Sequence, residues 1–439
     1  MLVYTTINST RFNYILSVLF DTWNIKNGIV TQSIQDFNTY TGLKINYSAE
    51  RITQEELWVV PHGLLNETFI AEQKIDVFEW HNLKVFFKTG GDIPFDFLAA
   101  SFYLITRYEE YLPHEKDSYG RYHFKNSIAY QYQFLDLPLI ELWQQALHET
   151  MHAIDENYAC KKEDFKIRFS YDIDMSFKYK GKGLLRNCGG FLKDIFQLKT
   201  GQALERIAVI LGLKNDPFDL FDIIQEAHQK RQQTAKFFFL MSAKSKGYDK
   251  NISPLKKVQQ TLIQKIASTS DLGLHPSAAS NDGNDILMQE KKKLERITDR
   301  PISDSRQHYI LMDMPHTYQV LIVSGITADY SMGYGGINGF RASYSRPYKW
   351  FDISSNTTTS LMIHPFCWMD ANCIFNEKKT PALAQQQLEK YLQILQQTGG
   401  ICTVIFHNHF LVFDNDNNDW CAVWEWLHHV AYTLKTNTL

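Results

Sequence analysis

The sequence predicts an α/β protein whose larger part is a parallel sheet closed into, or approaching, a barrel. From about residue 162 of 439, apolar strand-like runs alternate with helical patterns, which is typical of parallel sheets. The run at 401–406 is apolar throughout, as expected for a strand buried on both faces. Several runs end in residues suited to catalysis, and in such folds the loops after the strands form the active site.

Residues 1–160 are predicted to form a smaller mixed α/β domain. The elements expected in it are a helix at 11–23, strands at 57–60 and 83–87, and a helix between Pro94 and Pro113. The last of these helices carries one apolar stripe, which is expected to face a core. Arg107 and Glu110 are three residues apart on it and are expected to form a surface or interdomain ion pair.

Residues 161–439 are predicted to form the larger domain. The expected strands are 165–171, 236–241, 271–275, 328–331, 361–369 and 401–406, and the expected helices are 285–297, 317–323, 381–397 and 420–434. Gly399 and Gly400 close the third helix, because glycine is a common C-terminal stop.

Composition excludes several classes of function. The net charge is −3 with acidic and basic residues intermixed, so neither a nucleic-acid partner nor attraction to an anionic membrane is expected. No stretch approaches about 18 apolar residues, so no membrane span is expected. The six cysteines are scattered, and no secretory signal pattern is present. We therefore expect a cytoplasmic protein with reduced thiols, and the oligomeric state stays open.

Two carboxylates end the strand at 165–171. Asp172 and Asp174 follow its alternating apolar and polar residues, where they are candidates for metal binding or acid/base chemistry. The alternative is an ordinary turn, since Asp is common just past strands.

Histidines end two further strands. His275 closes the apolar run 271–275, and imidazole is the commonest side chain for binding zinc. His407 and His409 follow the run 401–406, and either suits a general acid whose pKa lies near neutrality. Each of these histidines has a structural alternative, such as capping a loop.

Arg341 follows a glycine-rich segment at 329–336. The segment lacks the Gly-Lys-Ser/Thr ending of a phosphate-binding loop, so we discount that function. Arg341 is interpreted as the partner of a carboxylate, because a guanidinium forks onto Asp or Glu and fixes its orientation.

With these residues in place, the sequence from about 162 to 439 resembles the polysaccharide deacetylases of carbohydrate esterase family 4, the NodB-homology group. These are metal-dependent hydrolases on a distorted (β/α) barrel. The segments 92–111 and 117–122 resemble the extra N-terminal domain of a Bacteroidetes branch of this group.

The resemblance implies roles for individual residues. Ser170-Tyr171-Asp172-Ile173-Asp174 is similar to the family's first motif, so Asp172 would be the general base and Asp174 a metal ligand. The motif Gly339-Phe340-Arg341 implies that Arg341 braces the base. Phe406-His407-Asn408 implies that His407 is the general acid, and Asp370 stands where the family has the residue that orients this acid.

The metal motif of the family is incomplete in this chain. His275 matches the first histidine of His-x-x-x-His, but the second position holds Ala279. Asp174 and His275 provide two ligands, whereas a catalytic zinc usually has three from the protein. His308 is the best candidate for the third ligand, and its alternative is a cap on the next strand. The expected cofactor is one divalent ion, by default zinc, with cobalt or nickel also suited.

The predicted function is a metal-dependent hydrolase that removes an N- or O-linked acetyl group from a sugar or glycan precursor. One alternative is a catalytically degenerate protein that binds glycan without metal, which Ala279 favours. Another is a metal-dependent amidase with a non-carbohydrate substrate, because specificity depends on variable loops.

Overall fold

The computed structural model describes residues 1–23, 25, 28–156, 158, 164–243, 247–412 and 420–436. The elements of the first part are β1 Leu2–Thr5, α1 Thr10–Thr22, β2 Ile29–Thr31, α2 Ile34–Thr39, β3 Lys44–Tyr47, β4 Leu57–Val59, β5 Phe78–Trp80, β6 Leu83–Val85, α3 Phe97–Ile105, α4 Ile128–Gln131 and α5 Leu139–Ile154. Strands β1 to β4 form a parallel sheet in the order β2-β1-β3-β4, and β5 pairs with β6 as an antiparallel hairpin. The expected boundary near residue 160 lies outside the described residues.

Helix α3 is buried on all sides, whereas the sequence predicts a single apolar stripe. All nine of its residues are buried because it packs between two layers. Phe102 contacts Tyr14 of α1 on one side and Phe351 of the second part on the other. The helix also ends earlier than Pro113, since Arg107 has a left-handed backbone (φ 55°). Residues Tyr108–Tyr111 continue as a short 3₁₀ turn.

The second part contains β7 Lys166–Ile173, α6 Leu184–Phe196, α7 Thr200–Ile210, α8 Phe221–Lys230, β8 Ala235–Leu240, α9 Lys257–Ala267, β9 Asp271–His275, α10 Asn284–Thr298, β10 Asp304–Ser305, α11 His316–Val323, β11 Ala328–Asp329, β12 Tyr348–Asp352, β13 Thr357–Ile363, β14 Trp368–Met369, α12 Pro381–Thr398, β15 Ile401–His407 and α13 Trp420–Thr436. The expected run 361–369 is therefore two strands, which Pro365 separates because it lacks a backbone donor. None of the helices in the described ranges has both the length and the apolar character needed to cross a bilayer.

These strands form one nine-stranded sheet in the order β12-β13-β11-β10-β9-β8-β7-β15-β14. Every pair is parallel except β12 with β13. In the described ranges no pairing joins β12 to β14, so the sheet keeps two edges and a closed barrel is not formed. However, the chain passes from Ile363 to Trp368 in five residue steps, which span at most about 18 Å. The sheet is therefore strongly curved, with its two ends close together.

Strand register brings the candidate residues to one edge of this sheet. His407 of β15 pairs with Asp172 of β7, and His275 of β9 pairs with Leu240 at the end of β8. Because these strands are parallel, their carboxyl ends lie side by side. Their interiors are apolar and buried, including Phe169, Phe237 and Val404, so the residues at this edge are held on a rigid base.

Candidate metal centre

Three side chains converge just beyond the strand ends. Asp174 follows β7, His275 is the last residue of β9, and His308 begins a short turn after β10. The Asp174 Oδ1 atom lies 3.2 Å from His275 Nε2 and 3.6 Å from His308 Nε2. One donor atom from each residue lies within 4.8 Å of the other two. The Oδ1 atom is buried and has no hydrogen-bond partner among the described residues, as expected of a ligand atom.

Hydrogen bonds at the other ring nitrogens orient both imidazoles. His275 Nδ1 donates to the Arg306 carbonyl oxygen at 2.6 Å, and His308 Nδ1 donates to Asp249 Oδ1 at 2.9 Å. With the proton on Nδ1, each Nε2 can offer a lone pair toward Asp174. This is the arrangement in which histidine binds metals in proteins. Two imidazole nitrogens and one carboxylate oxygen fit zinc, cobalt or nickel.

The charges of the centre suit the binding of a divalent cation. Burial lowers the pKa of His308, but the carboxylates of Asp174 and Asp249 raise it to about 9. Burial raises the pKa of Asp174, but His308 and His275 bring it well below its usual range. Metal-free protein therefore keeps a proton on His308 as the counter-charge of Asp174. A divalent cation would displace that proton.

The turn that carries His308 differs from the expected start of a strand. Tyr309 and Ile310 both have left-handed backbones, at φ 58° and 54°, which is strained for residues with side chains. Arg121, from the first part of the chain, donates from Nη1 to the Tyr309 carbonyl oxygen at 2.6 Å. A Cβ atom on Gly335 would lie 2.0 Å from that nitrogen, so only glycine leaves room for the bond.

Ala279, which stands in place of the family's second histidine, lies outside the centre. It is exposed in the turn Ala278–Asp282. The preceding residue, Ala278, donates its backbone N–H to Asp249 Oδ1 at 3.0 Å, the same atom that accepts from His308. This turn thus supports the carboxylate that orients His308.

Asp172 is braced by Arg306, not by Arg341. Arg306 Nη1 donates to Asp172 Oδ1 at 2.8 Å, and the carboxylate is almost fully buried. The other oxygen, Oδ2, lies 3.9 Å from His275 Nε2 and so faces the three donors. Sequence reasoning missed Arg306, although it stands only two residues before His308.

The expectation for Arg341 is therefore corrected. Its guanidinium forks onto Glu110 of the first part, with Nε–Oε1 at 2.9 Å and Nη2–Oε2 at 2.6 Å. Arg107 also donates to Glu110 Oε1, at 2.7 Å, and to the Arg341 carbonyl oxygen. Burial raises the pKa of Glu110, but Arg341 and Arg107 lower it to about 2. Arg107 and Glu110 were expected to form a surface or an interdomain ion pair. They form a buried ion pair that lies at the interface between the two parts, against Arg341.

A histidine–carboxylate pair, His407 and Asp370, lies beside the centre. Asp370 Oδ1 accepts from His407 Nδ1 at 2.6 Å, and Asp370 Oδ2 accepts from the His407 backbone N–H at 2.7 Å. His407 Nε2 lies 3.8 Å from Asp174 Oδ2. Burial lowers the pKa of His407, but Asp370 raises it to about 9, so this imidazole is protonated at neutral pH. By contrast, burial and the nearby His407 lower the pKa of His409 to about 3.

These groups line one cleft of about 420 Å³. Its mouth holds a cluster of Tyr119, Tyr248 and Tyr309, whose ring centres are 5.2–5.5 Å apart. Phe375 and Phe410 contact each other and also line the cleft. Aromatic and polar groups therefore surround the acid/base residues, as in small-molecule sites.

Comparison with known proteins gives limited matches. Residues 1–156 match a family model described as a family of unknown function, DUF7033. No curated protein has a significantly similar sequence.

Several solved structures are similar to part of the chain. A Mycobacterium smegmatis protein described as a polysaccharide deacetylase is 13% identical, with a TM-score of 0.38, covering 64% of this chain and 94% of its own. A probable polysaccharide deacetylase from Pseudomonas aeruginosa is 8% identical, with a TM-score of 0.39 and coverages of 61% and 85%. The 4-alpha-glucanotransferase of Thermococcus litoralis is 9% identical, with a TM-score of 0.34 and coverages of 62% and 37%. All three TM-scores are below 0.5, so function has to be argued from the residues of the site.

Proposed function

We propose that this chain is a metal-dependent hydrolase that removes an N- or O-linked acetyl group from a sugar or glycan. The observation that carries the proposal is the convergence of three metal-type donors, the carboxylate of Asp172 and the imidazole of His407 in one cleft. A distorted barrel of the deacetylase type, with residues 1–160 as an accessory domain, belongs to the same proposal. Its support is the parallel sheet and the motifs that end its strands.

Asp174, His275 and His308 would hold the cation. When bound, a divalent ion polarises an acyl oxygen and lowers the pKa of a water molecule toward neutrality. Zinc is the first candidate for this donor set, followed by cobalt and nickel.

Asp172 would act as the general base. Arg306 occupies its Oδ1 atom, which leaves Oδ2 to accept the proton of the attacking water. The guanidinium also fixes the orientation of the carboxylate. As this proton leaves, a new bond forms between the water oxygen and the acetyl carbon.

His407 would act as the general acid. It is held by Asp370 at Nδ1, so its Nε2 proton is the one available to the cleft. That proton passes to the departing amine or alkoxide as the bond to the acetyl carbon breaks. Asp370 stabilises the protonated imidazole before the transfer, which matches the raised pKa of His407.

The cleft walls favour a carbohydrate substrate. The tyrosines at the mouth present flat, amphipathic rings, which can contact the apolar face of a sugar and bond its hydroxyl groups. The volume of about 420 Å³ suits one or two sugar units. The alternative of a metal-free glycan-binding protein depends on Ala279, and a third donor in His308 favours the enzyme.

The test is acetate release by zinc-loaded protein from N-acetylated chito-oligosaccharides and from O-acetylated xylan. We expect release from at least one of them. His407→Gln should lower its rate about 10²–10⁴-fold. Asp370→Asn should also lower the rate and should shift its pH dependence. Full metal loading without acetate release from either carbohydrate class would contradict the proposal and favour an amidase or a binding protein.

A further inference from the structure

The helical hairpin of α6 and α7, residues 184–213, exposes an unusual amount of apolar surface. Of the 25 large hydrophobic residues that are exposed in the described part of the chain, 11 lie in this segment. They are Leu184, Leu185, Leu192, Ile195, Phe196, Leu198, Leu204, Ile207, Ile210, Leu211 and Leu213. Leu185 is 92% exposed, Phe196 86% and Leu198 87%. Such a concentration of exposed apolar side chains in one segment indicates an interaction site.

Polar contacts, in contrast, connect the two helices. Asn187 and Asp194 are the buried residues of α6. Arg206 of α7 bonds both of them, with Nη2–Oδ2 of Asp194 at 2.8 Å and Nη1–Oδ1 of Asn187 at 3.3 Å. An amphipathic helix in water normally turns its apolar face to the protein and its polar face outward. Helix α6 has the reverse orientation, whereas α7 buries two apolar residues, Ala203 and Val209. The outward apolar face of α6 suits apolar surroundings.

The hairpin also carries a local excess of positive charge. Between residues 182 and 214 there are six basic residues and two acidic ones, a net charge of +4 in a chain whose total is −3. Both acidic residues are used internally, because Asp194 pairs with Arg206 and Glu205 pairs with Lys178 and Lys214. The basic residues Arg186, Lys193 and Lys199 are exposed on the α6 side. Acidic and basic residues are intermixed over the whole chain, but this segment combines positive charge with exposed apolar residues.

The hairpin is firmly attached near the candidate active site. Its first residue, Leu184, comes ten residues after Asp174, which directly follows strand β7. The connecting segment is fixed by Asp216, whose carboxylate accepts the backbone N–H groups of Lys178, Tyr179 and Lys180 at 2.7, 2.7 and 2.9 Å.

We propose that this hairpin docks on the surface of an anionic lipid bilayer. Basic residues beside an apolar stripe are what holds a helix in the plane of a membrane interface. Helix α6 has 13 residues and is about 20 Å long, too short to span the hydrocarbon core, so it lies in the surface. The apolar stripe enters the acyl boundary and the lysines contact lipid phosphates. A second copy of the chain is disfavoured as the occupant, because two surfaces of charge +4 would face each other.

The experiment is flotation of the full-length protein with vesicles at physiological salt. Vesicles of phosphatidylcholine alone are compared with vesicles containing about one third phosphatidylglycerol. We expect at least about fivefold more protein to float with the anionic vesicles. Leu185→Ser with Phe196→Ser should abolish flotation, and Lys193→Gln with Lys199→Gln should reduce it to the level of the neutral vesicles. Val323→Ser is the control, since Val323 is 74% exposed on α11, and it should change nothing.

Each variant is first shown to melt at the wild-type temperature, so that a loss of flotation is not a loss of folding. Absence of wild-type flotation with anionic vesicles would overturn the proposal. So would a concentration-dependent dimer that the Leu185→Ser, Phe196→Ser variant converts to monomer, because a second copy would then cover the stripe. The test is independent of hydrolysis, so it does not depend on the proposed enzymatic activity.

Discussion

Asp172 and Asp174 lie two residues apart, yet their surroundings differ. One oxygen of Asp172 is held by Arg306, whereas Asp174 faces two imidazole nitrogens and has an oxygen without a hydrogen-bond partner in the described chain. Asp172 lies near the end of β7 and Asp174 just beyond it, and both side chains line the same cleft. In the proposed mechanism these different neighbours would make Asp172 the proton acceptor and Asp174 the metal ligand.

This difference predicts separate effects of two matched substitutions. Asp172→Asn should keep metal affinity within about threefold and lower the hydrolysis rate about 10²–10⁴-fold, because only proton acceptance is lost. Asp174→Asn should weaken metal binding at least about tenfold, since an amide oxygen is a poorer ligand. Metal titration and acetate release on both proteins measure this. Equal loss of metal from the two would mean that the roles are assigned wrongly.

The raised pKa of His308 predicts how metal affinity depends on pH. His308 is protonated below pH 9 in metal-free protein, and the cation must displace that proton. Affinity should therefore increase with pH, by about tenfold per pH unit between 7 and 9, and level off above 9. Titrations with a chelator as competitor at pH 7, 8 and 9 provide the measurement. A pH-independent affinity would exclude His308 as the group that loses the proton.

The sequence motifs predicted that Asp172, Asp174, His275 and His407 lie close together. The reason is that the carboxyl ends of parallel strands meet at one edge of a sheet. The partner of Asp172 could not be predicted in the same way. A guanidinium on a long side chain reaches several acceptors, and Arg341 is directed to Glu110 by burial between the two parts. Which carboxylate an arginine pairs with depends on the tertiary structure and cannot be predicted from a local motif.

At the scale of elements, a loop from the first part supports the ligand-bearing turn. Asp117 accepts from Arg121 Nε at 2.7 Å, and the Arg121 Nη1 atom in turn holds the Tyr309 carbonyl oxygen. Two successive left-handed residues follow His308, and such strain persists only where neighbours fix it. The loop thus positions His308 without contacting the centre.

Loss of this support should reduce metal affinity without removing a ligand. Arg121→Met and Gly335→Ala should each weaken metal binding about threefold to tenfold, because the turn no longer fixes the imidazole. Arg51→Met is a matched control, since Arg51 pairs with Asp92 elsewhere in the first part. Metal titration and thermal melting of the three proteins give the comparison. Unchanged affinity in both test variants would show that the turn is stable by itself.

Elements with a clear pattern of apolar residues were predicted close to their observed bounds, such as α12 at 381–398 and β9 at 271–275. Two-residue strands such as β10 are too short for any period, and they exist only because β9 and β11 pair with them. The hairpin α6–α7 was not predicted, because most of its large apolar residues are exposed to solvent instead of packing in a core.

At the scale of the whole molecule, a buried charge cluster joins the first part to the second. Arg107, Glu110 and Arg341 are each at most 3% exposed. Glu110 pairs with both arginines, and Glu109 supplies the second negative charge by pairing with Arg107. Tyr14 and Phe102 cover Phe351 at the same interface. Removing the first part would take away the carboxylate partner of Arg341 and expose the aromatic ring of Phe351 to water.

A chain that begins at residue 164 should therefore be insoluble or unstable. Sedimentation and thermal melting of this truncated protein, beside the full chain, are the measurement. Glu110→Gln in the full chain should show a milder form of the same defect, with a lower melting temperature. A soluble truncated protein with complete metal uptake would show that the second part folds independently.

The most direct test of the central claim is a zinc titration of metal-stripped protein against a competing chelator, for the wild type and His308→Ala. The account predicts one ion per wild-type chain and an affinity at least about tenfold weaker in the variant, because one of three donors is lost. A wild type that binds none of zinc, cobalt and nickel, or a variant whose affinity is unchanged, would contradict it.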